Sequence, residues 1–74
     1  MKKKRPEFFS NFRFRELVDE YVQGETARRL LIRFYVDDIT LEELEEEFHI
    51  SVSQIKRILY KNAMKVFRLM EIEQ

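Results

Sequence analysis

The chain has no cysteine, no tryptophan, one histidine, one glycine and one proline among its 74 residues. Without cysteine there is no disulfide framework, no thiolate metal site and no thiol nucleophile, so a secreted cystine scaffold and a zinc finger are both excluded. A histidine metal centre or a catalytic triad needs partners that His49 alone does not have. His49 therefore reads as a turn residue, and no enzymatic activity, metal or cofactor is expected. The longest apolar runs are three residues, Leu30 to Ile32 and Phe34 to Val36, against about twenty for a bilayer span. No apolar segment follows the basic amino terminus as a secretory signal requires. The expectation is a cytoplasmic protein that does not enter a membrane.

What the sequence does have is core material. Hydrophobic residues make up 45%, with seven phenylalanines and three tyrosines, enough for one small packed domain. Lys and Arg total 14 and Asp and Glu total 14, a formal net charge of zero. The charges are unevenly placed. Lys2, Lys3, Lys4 and Arg5 open the chain. Asp37, Asp38, Glu42, Glu43, Glu45, Glu46 and Glu47 crowd residues 37 to 50, which hold no Lys or Arg. Lys56, Arg57, Lys61, Lys65 and Arg68 then fill residues 51 to 70, which hold no acid. A neutral total conceals two basic segments and one acidic one.

Scarce glycine and proline leave helix caps to punctuate the chain, and the apolar spacing fits an all-α fold, a small bundle of about four helices. Leu17, Val18, Tyr21 and Val22 predict a first helix over 11 to 23, capped by Ser10 or Asn11 and stopped at Gly24. Ala27, Leu30, Leu31, Phe34 and Tyr35 predict a second over 25 to 36. Thr40 and Glu43 form a capping box that starts a short third helix at Leu41, its apolar face made by Leu41, Leu44 and Phe48. Ser51 and Gln54 form another, so His49, Ile50 and Ser51 make a tight turn. Ile55, Ile58, Leu59, Ala63, Val66, Phe67 and Met70 place a fourth, long helix over about 52 to 70. Residues 1 to 10 are set apart as a basic, phenylalanine-containing arm. Residues 11 to 74 are the helical domain.

Two capped helices separated by a three-residue turn, the second one basic, describe a helix-turn-helix at residues 40 to 60. Leu44, Phe48, Ile50, Ile55 and Ile58 would fix the helix angle from inside. Val52, Ser53, Gln54, Lys56, Arg57 and Lys61 would face outward toward base edges and phosphates of double-stranded DNA.

The run from Ile39 to Ile58, ITLEELEEEFHISVSQIKRI, resembles the helix-turn-helix of region 4 of bacterial sigma-70-type factors, typically LTLEEIAEELGISRSRVRQI. The likeness continues through Ala63 to Arg68, AMKVFR against ALRKLR, and upstream through Arg29 to Tyr35, so it covers roughly residues 25 to 70. It implies a bacterial or phage transcriptional regulator in which Val52, Ser53 and Arg57 face bases and Gln54, Lys56 and Arg33 lie near phosphates. Glu45 stands where the family has a small residue, which implies looser helix packing or an outward-turned Glu45. His49 stands where the family usually has glycine. Val52 and Ser53 stand where housekeeping factors commonly present Arg and Glu, so a different sequence would be read. The expectation is a stand-alone domain rather than a sigma factor.

Each signal also has a plainer reading. Lys2 to Arg5 is either a solubilising tail or an arm on DNA phosphates. Phe8, Phe9, Phe12 and Phe14 are either core or, in part, a docking patch. Arg28, Arg29 and Arg33 either touch phosphates or pair with Glu25 and Asp37. The functional expectation is a sequence-specific DNA-binding regulator, as a monomer or a homodimer on paired half-sites. The alternative is a small interaction module that docks on RNA polymerase or another host protein without reading DNA.

Overall fold

Three helix starts in this chain fall where a side-chain oxygen meets a free backbone amide. The computed structural model describes residues 5–73 and contains four helices: α1 (Asn11–Tyr21), α2 (Glu25–Tyr35), α3 (Leu41–Phe48) and α4 (Val52–Ile72). Ser10 caps α1 by accepting from the Arg13 amide at 3.4 Å. Thr40 and Glu43 make the full capping box on α3, each bond 3.2 Å. Ser51 caps α4 by accepting from the Gln54 amide at 3.3 Å. The second expected box is only half made, because the Gln54 carboxamide lies against the Ser51 hydroxyl and not its amide. Gly24, at φ +92°, enters α2 without a side-chain cap.

Two helix ends differ by two residues from the sequence reading. α1 ends at Tyr21, and Val22 lies beyond it in extended conformation while still 2% exposed in the core. Tyr21, one of the residues whose spacing predicts this helix, is exposed. Its carbonyl, one of the acceptors left over at a helix end, takes a bond from Lys65 Nζ at 3.1 Å. At the other end of the chain, α4 runs to Ile72, two residues further than expected.

α4 packs against the other three helices, and α2 lies against both α1 and α3. Phe14, Leu30, Leu31, Leu44, Ile55 and Val66 have no exposed surface at all, and every residue in the buried core is apolar. An aromatic cluster closes one end. Phe14 lies 5.5 Å from Tyr35 and 5.8 Å from Phe67, centroid to centroid, and Phe9 adds its ring at 5.0 Å from Phe14. Phe9 precedes α1, so the amino-terminal segment from Arg5 onward is attached to the domain. Arg5 pairs with Asp38 at 3.2 Å and lies over the Phe9 ring. Lys2 to Lys4 lie outside the described residues. Of the four early phenylalanines, Phe14 is core, Phe8 and Phe9 pack against it, and Phe12 is 72% exposed. Arg13 pairs with Glu16 and, through two of its nitrogens, with Glu73, which ties the start of α1 to the end of α4. No helix among the described residues is long and apolar enough to cross a membrane.

Candidate nucleic-acid interface

The direction of the chain changes between α3 and α4 within three residues. His49 takes the left-handed conformation, φ 57° and ψ 39°, and its amide bonds the Glu45 carbonyl at 2.9 Å. Histidine tolerates that region better than most residues with a Cβ, though glycine would do so more cheaply. Ser51 then returns to extended backbone and starts α4. Leu44 and Ile55 are fully buried at the junction, with Phe48, Ile50 and Ile58 half-buried around them.

A side chain also spans the turn. Glu45, exposed on α3, accepts at Oε2 from the Val52 amide at 3.2 Å, so a carboxylate of one helix caps the first residue of the next. The small-residue pattern left two arrangements open for Glu45, looser helix packing or an outward turn; Glu45 is exposed, and its bond to the Val52 amide was not expected. The available clue was an acid placed a few residues before a helix start, where it can turn toward the positive end of that helix.

The outer face of α4 is where most of the expected contact residues lie. Ser53, Gln54, Lys56, Arg57 and Lys61 are exposed. Arg57, Lys61, Met64 and Arg68 follow one another at helical spacing on the side away from the core, with exposed Tyr60 beside them. Among the described residues, Lys56, Arg57, Lys61 and Arg68 have no carboxylate partner. Val52 is different: it is half-buried against the core, and its amide is held by Glu45.

Arg33 stands apart from that group. It is half-buried on α2, with Nη2 on Glu47 Oε1 at 2.7 Å, Nε on Glu47 Oε2 at 3.1 Å and Nη1 on Asp37 at 3.2 Å. Those bonds, Glu47 foremost, push the guanidinium still further above its ordinary range, and the same contact holds the Glu47 carboxyl below the usual glutamate range. Arg29 lies over the Phe48 ring at 5.1 Å and Arg28 donates to the Val22 carbonyl at 3.3 Å. The α2 arginines are thus largely engaged within the protein, whereas the α4 cations are open to solvent. Among the described residues, no group of three or more Asp, Glu or His side chains is placed to hold a metal ion. In comparisons with known proteins, the chain matches no family model, no curated protein and no solved structure.

Proposed function

We propose that the chain is a DNA-binding transcriptional regulator of the sigma region 4-like helix-turn-helix kind, with α3 as the supporting helix and α4 as the helix that enters the major groove. The supporting observation is the row of cations on α4, Lys56, Arg57, Lys61 and Arg68, that have no carboxylate partner among the described residues, on a helix whose neighbour carries the acids. Partnerless cations on an exposed helix face cost nothing in broken ion pairs when they meet phosphates, and each contact releases counterions. Arg57 also has the planar fork that grips guanine by two bonds. Ser53 and Gln54 supply shorter hydrogen-bonding groups one turn earlier. DNA in the cytoplasm of a bacterium is the setting this reading implies, with a monomer on one site or a homodimer on two. Fluorescence anisotropy with a random-sequence duplex, repeated at several salt concentrations, tests it. Binding that weakens steeply with salt supports the reading, and no binding at low salt defeats it.

One observation favours the second reading, a module that docks on RNA polymerase or another host protein. Phe12, 72% exposed, borders an open groove of about 630 Å³ between α1 and α2, with Val18 and Ile32 in its lining and Arg15, Arg28 and Arg29 among its charged residues. Apolar surface rimmed by charge is typical of protein contacts. The two surfaces are made by different helices, so one chain has room for both.

A further inference from the structure

We propose that the carboxyl-terminal part of α4, together with the end of α1, docks a partner helix that carries an apolar side chain between two carboxylates. This surface is separate from the groove between α1 and α2, and it stands whether or not the chain binds a duplex. Three large apolar side chains are exposed there: Ile72 at 73%, Met64 at 48% and Tyr21 at 42%. With half-buried Leu69 they line an open groove of about 360 Å³ between the two helices. Its charged lining residues are Lys65 and Arg68, and no acid lines it among the described residues. Glu71 stands about 100° round α4 from Ile72, on a different side of the helix. Phosphates account for cations, but they offer exposed isoleucine, methionine and tyrosine nothing apolar to bury against. A protein segment with both apolar and acidic side chains satisfies the two together.

The groove is already shaped. Lys65 Nζ bonds the Tyr21 carbonyl at 3.1 Å, which ties the end of α1 to α4 and holds both walls. Lys61, Met64 and Arg68 stand at i, i+3 and i+7 on one side of α4, the two cations about 10 Å apart along its axis. Neither cation has a carboxylate partner among the described residues. A helix lying along α4 meets that row with a carboxylate, an apolar residue and a second carboxylate at the same spacing. It then sets a further apolar residue among Tyr21, Leu69 and Ile72. The apolar contacts supply most of the affinity and the charges select the partner, because exposed ion pairs contribute little each. Arg68 ends the row of cations assigned to the duplex and borders this groove as well.

The probe is a synthetic helical peptide with blocked ends. It carries two Glu seven positions apart, Leu at the two positions midway between them, and Leu four positions outside each Glu, so that it fits α4 in either chain direction. Titrated into isotopically labelled protein at low salt, it should shift the resonances of Tyr21 and of residues 61 to 72 most, the Met64 methyl among them. The same peptide with Gln for both Glu should bind roughly 3- to 10-fold more weakly, as the loss of two exposed ion pairs requires. With Ser for every Leu it should bind at least about 10-fold more weakly. Arg68→Glu, a change at an exposed position, should weaken the parent peptide, and a peptide with one Glu replaced by Lys should recover the loss. No shift at Tyr21, Met64 and Ile72 at millimolar peptide, or equal binding by the Gln or the Ser peptide, overturns the proposal. Shifts of these residues with phosphatidylglycerol vesicles and none with the peptide overturn it too, and make the surface a membrane contact.

Discussion

Arg33 of α2 holds Glu47 of α3 by both carboxylate oxygens, at 2.7 and 3.1 Å, and reaches Asp37 with its remaining nitrogen at 3.2 Å. A two-pronged guanidinium contact is directional as well as attractive. It braces the helix before the turn against the helix behind it, and so fixes how α4 is presented.

Arg33→Gln is accordingly expected to lower the melting temperature while leaving the salt slope of duplex binding as it is in the parent. A circular-dichroism melt and an anisotropy titration check the two halves. A slope reduced by about one unit with an unchanged melting temperature would move Arg33 to the phosphate-contacting set.

The same pair gives stability a dependence on pH, as does the Arg13 contact to Glu73. Both glutamates are held below their usual range, chiefly by the arginine hydrogen bonds. A carboxyl depressed in the folded state contributes stability above its unfolded value, about 4.3, and loses that contribution as pH falls through the lower folded value. Melting temperature should therefore fall as pH drops from about 5 toward 3. In that range Arg33→Gln should fall less steeply than the parent, so that the two curves converge. Parallel curves would show that the pair contributes nothing to the acid limb.

Ile55 is fully buried where α3 and α4 meet. Ile55→Ala should cost about 2 to 5 kcal/mol, through lost burial and the cavity left behind, a large share of what a small domain has. Urea unfolding measures it. A loss below about 0.5 kcal/mol, the range of surface substitutions, would mean that the junction repacks around alanine.

Arg57 and Lys56 should separate by kind of contact. Arg57→Ala is expected to weaken a preferred sequence by about 1 to 3 kcal/mol and to relax the preference at one base pair. Lys56→Ala should weaken all duplexes alike and lower the salt slope by about one unit. Titrations on a preferred site and its single-base variants distinguish them, and equal losses on every sequence would place Arg57 with the phosphates.

Much of the architecture was legible because the chain marks it locally. Ser10, Thr40 with Glu43, and Ser51 set three helix starts within reach of their own amides, and Leu44, Ile55, Leu59 and Val66 set the buried face by spacing. The tight turn of His49, Ile50 and Ser51 was legible for the same reason, since the two capped helices leave only three residues between them. What could not be read depended on groups far apart in sequence. Tyr21 is exposed at the end of α1, and Lys65, 44 positions later, supplies the bond to its carbonyl. Arg33 had a visible partner in Asp37, four residues on, but Glu47 comes to it only when α3 folds back over α2. Glu45 was visible as a misfit in a pattern, and its role at the start of α4 requires the turn to be formed. The outward set on α4 followed from periodicity, whereas the half-burial of Val52 did not, because the first turn of α4 leans on the junction.

The claim on which the rest depends is that the outer face of α4 meets the duplex. The direct measurement is an amide chemical-shift titration of isotopically labelled protein with a short random-sequence duplex at low salt. The account predicts that the largest changes fall on α4 between Ser53 and Arg68, strongest at its exposed positions, and fade as salt is added. Changes centred instead on Phe12, Arg15, Arg29 and Ile32, or none at all on α4, would contradict it.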